Sequence, residues 1–338
     1  MKPVLRRASW GLVAAALAWH GAATALDCRS APRLQAVAPG VWVWPGHNAE
    51  VHPANGGHVA TATVLVEPRA GEPGHATVID PGPSLRHGQR LDQAVRCQLN
   101  ARVVRLVNTH AHAENVLANA AWADAATGTP NVPVLATART QAQMAERCPD
   151  CLDHLTHTAS AAALQGTRIV LPNHRLAPGE RVRWTTLPWL VGEERDAHTH
   201  SDLTLWQADQ RLLVAGGLVY AQRLPELAQG SLAGWVAALD RLAGLAPRWV
   251  IGQQVSGPQA IATTRAYLCD LAATVWTAME QGLSASEAET LVLPRYAGWT
   301  GYAERQGFNA QRAWRELEPL WMAGGTPPCG STAPDVVR

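Results

Sequence analysis

The sequence is almost without lysine and phenylalanine, and neither sign of charge dominates it. Lys2 is the only lysine and Phe308 the only phenylalanine in 338 residues, and 28 Lys and Arg residues are balanced by 27 Asp and Glu residues. A lysine confined to position 2 excludes lysine-based catalysis once the N-terminus is removed. No basic run is present that could follow a phosphate backbone, so the sequence argues against a nucleic acid partner.

Long hydrophobic runs are also missing, apart from a short segment near the N-terminus. Residues 1–25 contain three basic residues, the apolar run 10–17 and small residues at the end. This order is typical of a secretory signal peptide cleaved before Leu26, and the run is too short for a membrane span. Cleavage would remove three positive charges and no negative ones, which takes the formal net charge from +1 to −2. We predict a periplasmic or secreted protein without a membrane span after cleavage; the alternative is an uncleaved anchor.

Cysteines are few, but all of them follow the predicted cleavage point. An even number of cysteines in an exported chain favours disulfides, although spacing does not reveal the partners. Cys148 and Cys151 flank Pro149 and Asp150, and we predict a local disulfide between them. Half a zinc knuckle or a thiol redox motif are the alternatives, but neither a second Cys pair nor a thioredoxin-like context accompanies the motif. The six cysteines are Cys28, Cys97, Cys148, Cys151, Cys269 and Cys329.

Hydrophobic periodicity predicts a chain in which strands alternate with helices before a largely helical final third. Neither a repeat nor a low-complexity block divides it, and its length suits one large domain or two small ones. The predicted strands are 41–44, 61–67, 76–80, 102–107, 132–135, 168–171, 181–187, 203–206, 212–214 and 249–252. The predicted helices are 85–99, 114–125 and 140–156, one that starts at Ser231, one with a Ser284–Glu287 capping box and one with Asn309 as its N-cap.

The most informative motif follows the predicted strand 102–107. Here Asn108-Thr109-His110-Ala111-His112-Ala113-Glu114-Asn115 places two imidazoles two residues apart. Alternate side chains of an extended segment point the same way, so His110 and His112 can reach one ion. A second cluster, 197–202, precedes the strand 203–206 and offers His198 as a third ligand. Zinc is the metal that three neutral imidazoles favour.

This order of elements resembles the metallo-β-lactamase superfamily. The resemblance rests on the turn Val78–Gly82, the His-x-His loop and the later His198 loop, and it runs from about Val41 to Gly257. It implies an α/β fold of four layers, an αβ/βα sandwich with the metal site along one edge of its two sheets. Together with the predicted signal peptide at 1–25, it divides the chain into an N-terminal extension at 26–40, a metallo-β-lactamase-like domain at 41–257 and a C-terminal helical extension at 258–338.

Within the superfamily the chain is most similar to the quinoprotein relay system zinc metallohydrolases. This likeness is carried by four segments, and it implies a partner among periplasmic quinoprotein dehydrogenase systems. The segments are Ala118–Trp122, Arg147–Cys151, Leu224–Glu226 and Gly230–Trp235.

The departures from the family pattern concern the second metal site. The family loop ends in Asp and His, where this chain has Glu114 and Asn115, and the bridging Asp is replaced by Gly217. The late His is replaced by Gln253 or Gln254, and an amide oxygen is a poor zinc ligand. The resemblance therefore assigns His110, His112 and His198 to one zinc ion with an open fourth position, and no second ion.

The remaining polar residues near the motifs have two readings each. Glu114 is either the general base or an acceptor that orients His110 or His112. Asp80 either braces the His loop or only forms a surface turn. His200 and Asp202 either support the site from outside, as does Asn115, or form a displaced second site with Glu114. The residues His47, His52 and His58 either overhang the site or are exposed loop polars.

Together these patterns predict a periplasmic hydrolase that uses one zinc-bound water or hydroxide on a small-molecule substrate. The alternative is a catalytically decayed hydrolase scaffold that acts as a binding or accessory protein, because loss of the second site is what decay produces. A true β-lactamase is a third reading that the three-His site permits. Superfamily membership does not choose among substrates.

Overall fold

A computed structural model describes residues 27–330, in which two β-sheets lie between layers of helices; the predicted signal peptide falls outside these residues. The strands are β1 (Gln35–Ala38), β2 (Val41–Trp44), β3 (Ala62–Glu67), β4 (Gly74–Ile79), β5 (Ala101–Val107), β6 (Val134–Ala136), β7 (His174–Arg175), β8 (Arg181–Arg183), β9 (Pro188–Arg195), β10 (Ser201–Gln207), β11 (Leu212–Val214), β12 (Trp249–Ile251) and β13 (Val255–Ser256). The helices are α1 (Leu85–Leu99), α2 (Ala113–Val116), α3 (Ala138–Ala159), α4 (Ala161–Leu164), α5 (Leu232–Gly244), α6 (Gln259–Glu280) and α7 (Tyr302–Met322).

The two sheets are mixed. The first has the order β1-β2-β3-β4-β5-β6-β7, antiparallel as far as β4 and parallel from β4 to β7. The second has the order β13-β12-β11-β10-β9-β8, and its only parallel pair is β11 with β12. Parallel neighbours place the ends of β4 and β5 at one edge of the first sheet, which is where the His loop begins.

Three buried clusters define four layers. One joins Leu91 of α1 to Val78 and its neighbours on the first sheet. The second lies between the sheets and includes Leu65 and Leu205. The third packs α5, α6 and α7 against the other face of the second sheet, with Trp235 at its centre. The order helix, sheet, sheet, helix confirms the predicted α/β four-layer class.

Local sequence signals set the start of two helices. Ser84 accepts a hydrogen bond from the His87 amide and begins α1, which has the predicted bounds. Ser231 accepts from the Gly234 amide and begins α5, whose predicted apolar face is buried. A side-chain acceptor at this position satisfies an amide that the helix leaves unpaired, so both starts can be read locally.

Other elements differ from the prediction. Residues 168–171 form no strand, and only the first three residues of the predicted strand 181–187 form one, as β8. Residues 184–187 bend the chain, and β9 begins after them at Pro188. The predicted helix 114–125 is the single turn α2 followed by the 3₁₀-helix Leu117–Trp122. Short apolar segments are ambiguous by period alone, and tertiary pairing decides them.

Of the two helix caps predicted in the C-terminal region, the one at Asn309 was wrong and the one at Ser284 is only partly formed. Asn309 lies inside α7 rather than at its start, and its buried amide accepts from the Leu227 amide at 2.9 Å and donates to the Pro225 carbonyl at 2.7 Å. Its role is to hold a distant loop. Glu287 does accept from the Ser284 amide at 2.8 Å, but the element that follows is a 3₁₀-helix, Glu287–Thr290.

Four cysteines form two disulfides, and the predicted local one is absent. Cys28 pairs with Cys97, and Cys269 with Cys329. Cys148 and Cys151 are free thiols within α3, which continues through Pro149. Cys148 is buried against Met144 and its neighbours, and burial raises the pKa of its thiol to about 12, so it behaves as a small core residue.

Replacing Cys28 and Cys97 together with serine is expected to lower the free energy of unfolding by about 4 kcal/mol, since this disulfide closes a loop over 69 positions. Denaturant titration measures the loss. Cys151→Ser is the matched control, because it removes an unpaired and partly exposed thiol, and it should change stability by no more than about 0.5 kcal/mol. Equal stability of the double variant and the parent would contradict the prediction.

The regions outside the predicted central domain pack against it. β1, from the predicted extension 26–40, pairs with β2. The helices α6 and α7 share the buried cluster of α5. The domain bounds themselves stay a prediction. Within residues 27–330, no helix is both long enough and apolar enough to cross a bilayer.

Candidate metal centre

The three predicted metal ligands come together from two loops at one edge of the sheets. His110 and His112 follow β5, and His112 stands immediately before α2. His198 lies in the turn between β9 and β10 of the other sheet. The Leu203 amide donates to the Thr109 carbonyl at 2.8 Å, which ties the two loops to each other.

The imidazoles surround a common point. Their ring centroids are 4.8 Å apart for His110 and His112, 4.9 Å for His110 and His198, and 4.7 Å for His112 and His198. One ring nitrogen of each lies within 4.8 Å of the others. Among the described residues this is the only group of three His, Cys, Asp or Glu side chains with such geometry.

Burial keeps two of the rings neutral. His110 and His198 are 0% exposed, and desolvation lowers the pKa of each well below its ordinary value, with the neighbouring imidazole His112 adding to the effect. Metal ions require neutral imidazole, so this environment favours the form of the ligand that binds.

The tautomer of His110 follows from a chain of hydrogen bonds. The Thr109 hydroxyl donates to Asp80 Oδ2 at 2.6 Å, so it accepts from His110 Nδ1 at 2.7 Å. The lone pair of His110 is then on Nε2, which is buried and has no partner among the described residues. An unpaired buried nitrogen is costly unless something binds there, and a metal ion in the centre of the triad would do so.

His198 is held in a similar way. Its Nδ1 lies 3.1 Å from Asp202 Oδ1, and Asp202 Oδ2 accepts from the Thr199 amide at 2.7 Å. Asp202 is 1% exposed, and burial raises the pKa of its carboxyl group to about 7 despite the amide bond. A carboxylate behind a histidine is a common support for a metal ligand.

Asp80 lies beneath the His loop rather than at a surface turn. It is 3% exposed, has φ 50° after β4, and accepts from the Thr109 amide at 2.8 Å as well as from the Thr109 hydroxyl. Burial raises the pKa of Asp80 to about 7, against the effect of the Thr109 bonds. Asn115 Nδ2 lies 3.4 Å from Asp80 Oδ2, so Asn115 faces the same support.

The residues considered for a displaced second site do not meet. His200 is exposed and its Nδ1 contacts Asp196 Oδ1 at 3.0 Å. Asp202 is engaged by His198, while Glu114 lines a cavity beside His112. Glu114 Oε1 is 3.9 Å from His112 Nδ1, which is too long for a hydrogen bond.

Gly217 lies against the triad, in the short 3₁₀-helix Gly216–Leu218 that follows β11. A Cβ atom at this position would be 2.3 Å from His198 Nδ1 and 3.0 Å from His110 Nε2. The present backbone therefore has no room for any side chain at 217. Gln253 is buried and its Oε1 has no hydrogen-bond partner in the described part of the chain, whereas Gln254 Oε1 accepts from the Ala221 amide at 3.0 Å.

Two aromatic residues of the site were missed by the sequence analysis. The buried Tyr220 hydroxyl lies 3.5 Å from His198 Nε2, and burial raises its pKa, which keeps it protonated. The Trp235 ring packs on His198 with centroids 5.0 Å apart and donates from Nε1 to the Leu218 carbonyl at 2.9 Å. No local motif marks either residue: Tyr220 follows the 3₁₀-helix Gly216–Leu218 and Trp235 lies on α5, and both reach the triad only through tertiary packing.

A cavity of about 380 Å³ opens beside His112 and Glu114. Its wall contains a network that the sequence analysis also missed: Arg305 contacts both Glu50 and Glu226, and Arg223 Nε lies 3.4 Å from Glu50. Burial acts to raise the pKa of Glu226, but the charge of Arg305, the nearby imidazoles His112 and His198 and a hydrogen bond from Arg305 together hold the pKa below its ordinary value. The cationic charge of the wall is thus neutralised by two carboxylates.

Comparison with known proteins shows the fold. No protein-family model matches the chain, and no curated protein sequence matches it. Among solved structures, a β-lactamase domain protein from Burkholderia ambifaria is 21% identical, with a TM-score of 0.62 over 87% of this chain and 89% of that one. A metallo-β-lactamase from Pontibacter korlensis is 18% identical, with a TM-score of 0.51 over 70% of this chain and 98% of that one.

A third structure, the metallo-β-lactamase FIM-1 from Pseudomonas aeruginosa in its mono-zinc form, is 15% identical, with a TM-score of 0.51 over 70% of this chain and 94% of that one. The chain therefore has the metallo-β-lactamase fold. It carries, at the edge of the sheets, a histidine triad compatible with a metal ion.

Proposed function

We propose that the protein is a hydrolase that uses one zinc ion, held by His110, His112 and His198, to act on a small-molecule substrate. The observation that supports this best is His110 Nε2, a buried nitrogen within a group of three converging imidazoles that has no hydrogen-bond partner among residues 27–330. Gly217 and the Gln residues at 253–254 offer no carboxylate or imidazole for a second ion. When bound, zinc lowers the pKa of water and polarises a carbonyl group.

The residues around the triad have separate roles in this proposal. Thr109 and Asp80 fix the tautomer of His110, and Asp202 fixes that of His198. Tyr220 stays protonated and offers a hydroxyl to a developing oxyanion. Glu114 accepts a proton from a water in the cavity. Its distance of 3.9 Å from His112 Nδ1 argues against a role confined to orienting that ring.

Zinc content tests the proposal. Protein purified from the periplasm without added metal should contain one zinc per chain by mass spectrometry, and it should hydrolyse at least one member of a panel of chromogenic esters, thioesters and amides. Two tightly bound zincs would reject the single-ion part. A protein without zinc and without hydrolytic activity would reject the proposal that it is an enzyme.

Replacing Glu114 with glutamine is expected to lower kcat about 100-fold or more, since the amide cannot accept a proton, while zinc content stays at one. Steady-state kinetics on the best chromogenic substrate measures the change. Asp150→Asn is the control, because Asp150 is a carboxylate of the same cavity, and its kcat should remain within a factor of two or so of the parent. Zinc loss with unchanged kcat at saturating zinc would assign Glu114 to positioning instead.

The second candidate is a non-catalytic scaffold. The crowding at Gly217 is consistent with this role too, because a protein that has lost its second metal site no longer needs space for a carboxylate at that position. In that case His110→Ala, still folded, would leave the physiological role intact. A phenotype equal to that of full deletion would exclude the scaffold. Hydrolysis of a chromogenic cephalosporin tests the β-lactamase reading, for which we expect no activity.

Export and partnership belong to the same proposal. A periplasmic or secreted location is supported by the signal-like residues 1–25 and by two disulfides, which persist in oxidising compartments. Association with a quinoprotein dehydrogenase system is supported by sequence likeness alone. Fractionation of cells that produce the full chain tests the first, and co-purification with such a dehydrogenase tests the second.

A further inference from the structure

A second cavity, of about 210 Å³, lies between the loop 47–58 and the start of α1. It shares no lining residue with the cavity beside the triad. Among the residues that line it are His47, His58, Arg86, His87 and Arg90. Of the three loop histidines, His47 and His52 are exposed, which agrees with one of the two sequence readings, and His47 also lines this cavity. His58 is buried in the cavity wall, which neither reading foresaw.

Every ionisable group in this lining is basic. Two guanidinium groups and three imidazoles line the cavity, and no Asp or Glu of residues 27–330 does so. Within residues 27–330, neither Arg86 nor Arg90 has a hydrogen-bond acceptor or an ion pair; the Arg90 guanidinium lies over the Trp44 ring, with Cζ 5.6 Å from the ring centroid. Unneutralised guanidinium groups around a polar cavity favour an anionic ligand.

Two of the imidazoles are buried without partners for one nitrogen. His58 is 8% exposed and His87 is 7% exposed, and the Nε2 atom of each has no hydrogen-bond partner among the described residues. Their ring centroids are 4.4 Å apart, and His87 stacks on Trp44 at 4.0 Å. Buried polar atoms are normally satisfied, so two in one cavity wall indicate a ligand that the wall is built to meet.

The start of α1 adds to the positive potential in this cavity. α1 runs for 15 residues and carries no acidic residue in its first turn, although acidic residues are favoured there. Its cap Ser84 and its residues Arg86, His87 and Arg90 all line the cavity. The positive end of the helix dipole and the two guanidinium groups therefore act on the same space.

We propose that this cavity binds a phosphate group, either as free phosphate or as a small phosphate monoester. A tetrahedral dianion accepts hydrogen bonds in several directions, which suits donors that come from a loop and from two arginines on different turns of α1. The site is separate from the metal centre and does not depend on hydrolytic activity.

Isothermal titration of the full chain with inorganic phosphate, in low-salt buffer free of other multivalent anions, tests the proposal. We expect saturable binding of one phosphate that is retained in His198→Gln, which separates it from any phosphate held by metal at the triad. Arg90→Ala should weaken binding at least tenfold. Arg96→Ala is the matched control, because Arg96 lies on the same helix and pairs with Asp92 at 2.8 Å, and it should leave the affinity unchanged.

Two outcomes would overturn the proposal. One is that the folded protein shows saturable binding of neither inorganic phosphate nor glycerol phosphate. The other is equal binding by the parent and by a folded Arg86→Ala, Arg90→Ala double variant. Tighter binding of glycerol phosphate than of inorganic phosphate would assign the cavity to a phosphate monoester, and the reverse order would assign it to free phosphate.

Discussion

Replacing His198 with alanine is expected to abolish stoichiometric zinc binding, with an affinity at least about 100-fold weaker than that of the parent. In other metal sites, loss of a residue that only supports a ligand lowers metal affinity about 10–100-fold, and this change removes a ligand itself. The two remaining imidazoles come from a single loop, so the ion would lose its contact with the second sheet. Zinc content after dialysis and competition with a chelating dye measure the effect.

The same variant also leaves a buried cavity beside Trp235, so a second variant is needed. His198→Gln retains most of the volume of the side chain and should lose zinc equally, with an unchanged circular dichroism spectrum. His200→Ala is the matched control, because His200 lies two positions away, is exposed and contacts Asp196. Normal zinc content in a folded His198→Gln protein would rule out the triad as the metal site.

We expect the second large effect from the substitution Gly217→Asp. Instead of restoring a bridging carboxylate and a second ion, the substitution should lower zinc content below one per chain. Its Cβ would be 2.3 Å from His198 Nδ1, and Asp202 holds that ring from behind, so the ligand must move. We expect zinc affinity to fall at least tenfold, a loss in the range seen when a metal ligand loses its support.

Gly244→Asp serves as the control, because a Cβ at position 244 meets no atom within 4 Å. Its zinc content should equal that of the parent. Two zincs per chain in Gly217→Asp would show that the backbone at 216–218 relaxes readily. In that case the single-ion state would depend on the missing carboxylate alone and not on the shape of the site.

Features that depend on neighbouring residues were readable from the sequence. The bounds of α1 follow from the Ser84 cap and a regular apolar face, and β2 and β11 also have the predicted bounds. The His-x-His loop could be placed at a strand end for the same reason. In each case the informative residues are spaced two to four positions apart, so a short stretch of sequence contains the whole pattern.

Features that depend on distant partners were not readable. Arg305 and Glu50 are 255 positions apart, yet they contact each other in the wall of the cavity. Asn309 has a side chain typical of an N-cap, but it is used inside α7 to hold residues 225–227. The cysteines show the same limit: the nearby pair 148 and 151 stays reduced, and the disulfides join positions 69 and 60 apart.

The sequence by itself predicted alternating strands and helices and a His-x-His loop at a strand end, because periods and short spacings are local properties. The four-layer fold class and the use of His198 as third ligand followed from the resemblance to the metallo-β-lactamase superfamily that these motifs carry. Only the tertiary structure decided how these groups are used. Packing of the two sheets brought His198 to the His110 loop, placed Asp80 and Asp202 behind the rings, and left no space beside Gly217. It also enclosed His58 and His87 beside two arginines, in a cavity that shares no described lining residue with the one beside the metal loop. Burial and hydrogen bonding between remote segments set protonation and orientation, and no short window of sequence contains them.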